Sequence, residues 1–180
     1  MSNPKVINTP LSKETIADLK AGEEVLLSGV IYTARDQAHL RLCRMIEDGE
    51  DLPLEMEGQV IYYCGPTPAP EGKPIGSCGP TTSSRMDKFT PEILKKGLKG
   101  MIGKGKRSGS VVEAIKNNAA VYFLAPAGAG AYLAGRVLKC EPVAFEDLGP
   151  EAIYRLEVSD FPLVVGVDAA GNDIYDKLPS

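Results

Sequence analysis

Apolar positions recur along this chain with two different periods. Residues 24–32 form a β-branched and apolar run (Val25, Leu26, Leu27, Val30, Ile31) that predicts a strand. Residues 59–64 and 119–125 predict short buried strands. Residues 137–145, 152–158 and 162–167 predict three more in succession. Helical spacing lies between the early strands. Ser12 is placed to cap a helix through Ile16 and Leu19 that ends at Gly22. Ala38, Leu42 and Met45 predict a helix over 36–45. Thr90 as N-cap with Pro91 at the first helical position predicts a third, ending at Gly97. Ser110 with Glu113 three residues on reads as a capping box for a fourth, through Asn118. Residues 128–135 read as a helix or a tight turn.

Residues 65–80 carry five prolines and predict no regular element. A long ordered loop of this kind is often functional. Residues 100–109 read as a second, glycine-rich loop, and 167–173 as a turn. Strands alternating with helices, then strands in a row, predict an α/β or α+β fold with a mixed sheet.

Composition narrows the function classes. A chain of 180 residues, 43% hydrophobic, can bury roughly 70% of its unfolded surface as one domain without disulfides or metal. It has no long apolar run, so no membrane partner is expected. Residues 1–5 lack the blocks of a signal peptide, so a cytoplasmic chain with reduced thiols is expected. The formal charge of -4 and 6% aromatic content argue against nucleic acid as partner. Six basic residues and no acid lie in 95–107, an excess that could meet phosphates, carboxylates or water. Cys43, Cys64, Cys78 and Cys140 are far apart and form no C-x-x-C, so no metal residue is assigned to this chain.

Four loops hold the candidate chemistry. Residues 33–39 join a strand to a helix and contain Arg35, Asp36 and the single histidine, His39. Ligands in open α/β sheets gather at the carboxyl ends of strands, and an arginine at a helix N-terminus suits an anion. Taken alone, these residues fit a helix capped by Asp36, with His39 merely hydrogen-bonded, better than a ligand site. Residues 79–87 pack Thr81, Thr82, Ser83, Ser84 and Arg85 after the proline-rich loop, as an oxyanion site or a solvated turn would. Residues 100–108 mimic a phosphate loop, but Arg107 stands where a magnesium-binding Ser or Thr is required, and a helix is expected before it. Lys104, between Gly103 and Gly105, could present its ammonium to a ligand or to water. Residues 125–131 are small and read as a packing turn. Arg35, Thr81, Arg85 and Lys104 together make a cationic, hydroxyl-rich anion site without catalytic machinery of its own. That pattern suggests half of an active site for a polycarboxylate.

The loops resemble the β subunit, or C-terminal domain, of class I fumarate hydratase and its sister, L-tartrate dehydratase. The resemblance runs from about Thr9 to Leu178. It rests on S-G-V-I-Y-T-A-R-D-Q-A-H (28–39), I-Y-Y-C-G-P (61–66), G-P-T-T-S-S-R-M-D (79–87), M-I-G-K-G (101–105) and E-D-L-G-P-E-A-I (146–153). It departs at Ala127-Gly128, where the family has paired glycines. The resemblance implies one swivelling β/β/α domain over 1–180, with a mixed sheet. It implies reversible hydration of fumarate to L-malate, or dehydration of L-tartrate to oxaloacetate. A stand-alone carboxylate-binding module is the reading from another class. The implied cofactor is a [4Fe–4S] cluster held by a larger α subunit and not by this chain. The implied partners are that α subunit, in a higher αβ oligomer, and a dicarboxylate substrate. By motif position Arg35, Arg85 and Lys104 bind substrate, Thr81 binds it and takes part in proton transfer, and Asp36 and His39 orient these groups.

Overall fold

The computed structural model describes residues 3–177. The leader expectation at Met1 and Ser2 and the motif limit at Leu178 lie outside the described residues. The strands are β1 (Lys5–Asn8), β2 (Glu24–Thr33), β3 (Val60–Tyr62), β4 (Gly100–Gly103), β5 (Val121–Leu124), β6 (Val137–Ala144) and β7 (Ile153–Val167). They form one mixed sheet in the order β1-β2-β3-β4-β5-β7-β6. Neighbours from β1 to β5 run parallel. β7 runs antiparallel to β5 and β6, and also to β2. That last pairing closes β2, β3, β4, β5 and β7 into a ring. The fold class is mixed α/β.

Parallel neighbours need crossovers. They are supplied by α1 (Lys13–Asp18), α2 (Asp36–Glu47), α3 (Thr90–Leu94) and α4 (Gly109–Asn117), while α5 (Gly130–Ala134) leads into β6. Successive strand residues point to opposite faces. Val60, Tyr62, Ile102, Val121 and Phe123 therefore pack in one core with Ile16 of α1 and Leu133 of α5. Ile61, Tyr63, Met101 and Tyr122 pack in a second with Leu42, Ile93, Val111 and Ile115 of α2, α3 and α4. Both faces are covered, which is why these strands read as unbroken apolar runs.

Several expectations are corrected. β4 lies inside the predicted glycine-rich loop, and all four of its residues are buried. A Cβ on Gly100 would come 2.7 Å from Val60 Cγ2, so strand crowding and not a turn requires that glycine. A strand, not a helix, thus precedes Lys104. The strands expected over 152–158 and 162–167 are one strand, β7. It bends at Asp160 (φ 49°), whose amide donates to Ser28 Oγ at 2.9 Å where β2 shifts register. Ser12 caps α1, accepting from the Thr15 amide at 3.1 Å. Thr90 is the first residue of α3 and not its cap, since its hydroxyl donates back to the Met86 carbonyl at 2.9 Å. Ser108, not Ser110, caps α4 through the Val111 amide. β1 was not anticipated at all.

Candidate active site

Three loops meet at the carboxyl ends of β2, β3 and β4. Where β3 and β4 part, the chain re-enters between them. The Thr81 amide donates to the Tyr63 carbonyl at 2.7 Å, and the Lys104 amide to the Thr81 carbonyl at 3.3 Å. The Ser83 amide then donates to the Lys104 carbonyl at 2.9 Å. Residues 81–83 are thus a wedge that sets Thr81 beside Lys104. Gly103 permits it: a Cβ there would overlap Ser83 Oγ and lie 2.8 Å from Tyr63 Cδ2. Tyr122 locks the wedge. Its hydroxyl donates to the Gly105 carbonyl at 2.7 Å, so Ser83 Oγ donates to it at 2.8 Å.

Arg35 stands between β2 and α2, at the cap position of the helix. Asp36 does not cap α2; it is the first helical residue, and Arg35 offers no side-chain cap either. Both Asp36 oxygens are taken by Arg85, from Nε at 3.0 Å and Nη2 at 2.9 Å. That fork fixes a half-exposed arginine beside the wedge. Arg35 Nε lies 4.0 Å from Asp36 Oδ2 and 3.9 Å from Glu151 Oε1, and it is buried without a hydrogen-bond partner. His39 is buried, and its Nδ1 donates to the Arg35 carbonyl at 2.8 Å. Burial, reinforced by the Arg107 charge, pulls its pKa down to about 4, so the ring is neutral at pH 7. Arg35, Thr81, Arg85 and Lys104 therefore share one end of the sheet, with Asp36 linking the two arginines. Among the described residues, Lys104 has no ion pair and the Thr81 hydroxyl no hydrogen bond.

Arg107 departs from the reading of 100–108 as a solvated basic loop, whereas Lys106 and Ser108 are exposed. It is 2% exposed and pairs with Asp87 at 2.7 Å. It also donates to Tyr63 Oη and Thr90 Oγ1, between the rings of Tyr63 and Tyr122. Its charge is spent inside the core, on Asp87 and the hydroxyls of Tyr63 and Thr90. Sequence reasoning missed Arg107, Tyr63, Tyr122 and Glu151 as parts of the site. The motifs 61–66 and 146–153 contain two of them, but no local pattern assigns those two a task.

The model of the family described as "Fumarase C-terminus" matches residues 3–178. The chain belongs to the fumarase C-terminus family. It is 38% identical over 174 residues to a Methanocaldococcus jannaschii protein named for the beta subunit of L(+)-tartrate dehydratase, covering 93% of this chain and 89% of the relative. It is 38% identical over 177 residues to the aerobic class I fumarate hydratase of Escherichia coli K12, covering 96% of this chain and 32% of that protein. Fumarate hydratase 2 of Leishmania major is 38% identical over 175 residues, 95% of this chain and 31% of the relative. The chain therefore spans about a third of the fumarate hydratases it matches and nearly all of the beta-subunit relative. Within this family the cationic end of the sheet is the candidate active site.

Proposed function

We propose that this chain is the β-type half of a hydro-lyase that interconverts fumarate and L-malate. One observation carries the reading: a member of this family brings Arg35, Thr81, Arg85 and Lys104 to the carboxyl ends of adjacent strands, as an incomplete site for a dianion. Arg35, Arg85 and Lys104 would grip the carboxylates. Proton loss from the carbon beside a carboxylate builds negative charge on that carboxylate, which fixed cations stabilise. Thr81 would relay the proton. A threonine hydroxyl is a poor base, so a carboxylate of the α partner would drive it.

The family resemblance implies a [4Fe–4S] cluster. Among the described residues, no group of three or more His, Cys, Asp or Glu is placed to hold a metal. Cys64 and Cys78 are fully buried, with Cys78 Sγ directed at the Gly130 carbonyl at 3.9 Å. This donor set does not fit the cluster. We assign the cluster to the α partner and route no step here through it. The described residues include no helix long and apolar enough to cross a membrane. We place the αβ oligomer in the cytoplasm, where free cysteines stay reduced.

Dehydration of L-tartrate to oxaloacetate is a second reading. Its support is the name of the Methanocaldococcus jannaschii relative, 38% identical to this chain. The test is anaerobic fumarate hydration by this chain, its cluster-loaded α partner, and the mixture. Activity in the mixture only, lost on Thr81→Ala or Arg85→Ala, supports the first reading. A mixture active on L-tartrate alone supports the second. Inactivity on both, with the cluster intact, leaves a stand-alone carboxylate-binding module.

A further inference from the structure

We propose that Glu151 is a positioning residue that aligns Arg35 for a substrate carboxylate, an inference that rests on the dicarboxylate reading above. Arg35 Nε is buried and has no hydrogen-bond partner. Two carboxylates stand near it, Asp36 at 4.0 Å and Glu151 at 3.9 Å. Asp36 is already spent, since both its oxygens hold Arg85. Glu151 makes no other ion pair or side-chain hydrogen bond among the described residues. Of the two carboxylates near Arg35 among the described residues, it is the one left to complete that side chain.

The segment that carries Glu151 is built for a fixed position. Residues Glu146–Glu151 form a kinked turn entered through Phe145 in the left-handed region (φ 57°, ψ 41°). None of its residues is buried, so core packing does not explain why it is fastened. Yet it is fastened twice. Arg41 of α2 grips Asp147 with two bonds of 2.8 Å and lies 4.8 Å over the Phe145 ring. The Tyr154 hydroxyl donates to the Gly149 carbonyl at 3.1 Å. What the segment delivers is Pro150 and Glu151 beside Arg35. A Cβ on Gly65 would lie 2.9 Å from Arg35 Nη1 and 3.3 Å from the Pro150 carbonyl oxygen, so these residues wall the guanidinium. With Nε buried and the side chain 27% exposed, Nη1 and Nη2 are the atoms that would grip a carboxylate at two points. A separation of 3.9 Å is too long for a hydrogen bond, but catalytic contacts in unliganded sites tighten when substrate arrives.

Positioning and plain electrostatics predict opposite signs. Asp36 stands beside Arg35 and Arg85, and Glu151 adds a second negative charge beside Arg35. Removing one negative charge would tighten binding of a dianion if Glu151 acted only through its field. If it aligns Arg35, removal weakens binding. The experiment compares wild type, Glu151→Gln and Glu151→Asp in the αβ assembly, with fumarate turnover, calorimetric titration of succinate and thermal melting. The expected result for Glu151→Gln is a rise of about tenfold in KM and in the succinate Kd, with kcat and Tm much less affected. Glu151→Asp keeps the charge and should recover part of the loss. If Glu151→Gln fails to fold, Glu151→Asp carries the test through its own smaller rise in KM. A KM that is unchanged or lower overturns the proposal. If the wild-type assembly turns over neither fumarate nor tartrate, the proposed function fails while the succinate titration still decides the role of Glu151. Weaker binding by Glu151→Gln then supports it, and equal, tighter or no wild-type binding overturns it.

Discussion

Lowering the pH from 7.5 to 5.0 should destabilise this protein through His39. The ring is fully buried against Tyr63 and Phe89, and its Nδ1 proton is held by the Arg35 carbonyl. Burial first, and then the Arg107 charge, bring its pKa to about 4, against 6.5 in the unfolded chain. Between those values the unfolded state binds more protons, so stability rises with pH. The contribution is complete above pH 6.5 and is lost as the pH falls through 6.5 toward 4. A gap of about 2.5 units corresponds to about 3 kcal/mol in all, of which about 2 kcal/mol is lost between pH 7.5 and 5.0. The assay is urea unfolding at both pH values for wild type and His39→Asn. Asparagine can still donate to the Arg35 carbonyl but does not titrate. The variant should be weaker at pH 7.5 for want of ring contacts, yet should lose about 2 kcal/mol less than wild type on acidification. Equal losses in the two proteins would refute a neutral, desolvated His39.

Two further outcomes follow from the architecture beneath the site. Arg107→Met strands Asp87 at the edge of the core and should cost about 3–5 kcal/mol in chemical denaturation; a loss below about 1 kcal/mol would mean that Asp87 is satisfied by the Ser108 amide alone. Gly103→Ala should force residues 81–83 away from β4, costing about 1–3 kcal/mol of stability and about 100-fold in turnover by the assembly. Wild-type kinetics in that variant would show that the wedge does not position Thr81 and Lys104.

Much was legible in the sequence because it is local chemistry. The Ser12 cap, the apolar stripe of α2 and the apolar runs of β2, β3 and β5 each depend on residues within a few positions of one another. The mixed α/β class followed from their order, and the motif positions singled out Arg35, Thr81, Arg85 and Lys104. Other features depended on contacts that no short window contains. Gly100 and Gly103 look like loop glycines, but they are strand residues whose missing side chains make room for Val60 and Ser83. Arg107 sits in a basic run that reads as solvated, yet it is buried because Asp87, twenty residues away, and two tyrosine rings surround it. Ser108 and Ser110 offer the same oxygen, and only the backbone, extended at Ser108 (φ -67°, ψ 158°), decides which one caps α4. Glu151 reaches Arg35 across 116 positions of sequence, through a turn whose direction is set by Arg41 on a different element. Composition and periodicity specify which segments become strands and helices, since propensity and amphipathicity act within a turn or a pleat. The pairing of a charge with its partner is decided only when the fold brings distant segments within a few ångströms, as it brings Asp87 to Arg107 and Asp36 to Arg85.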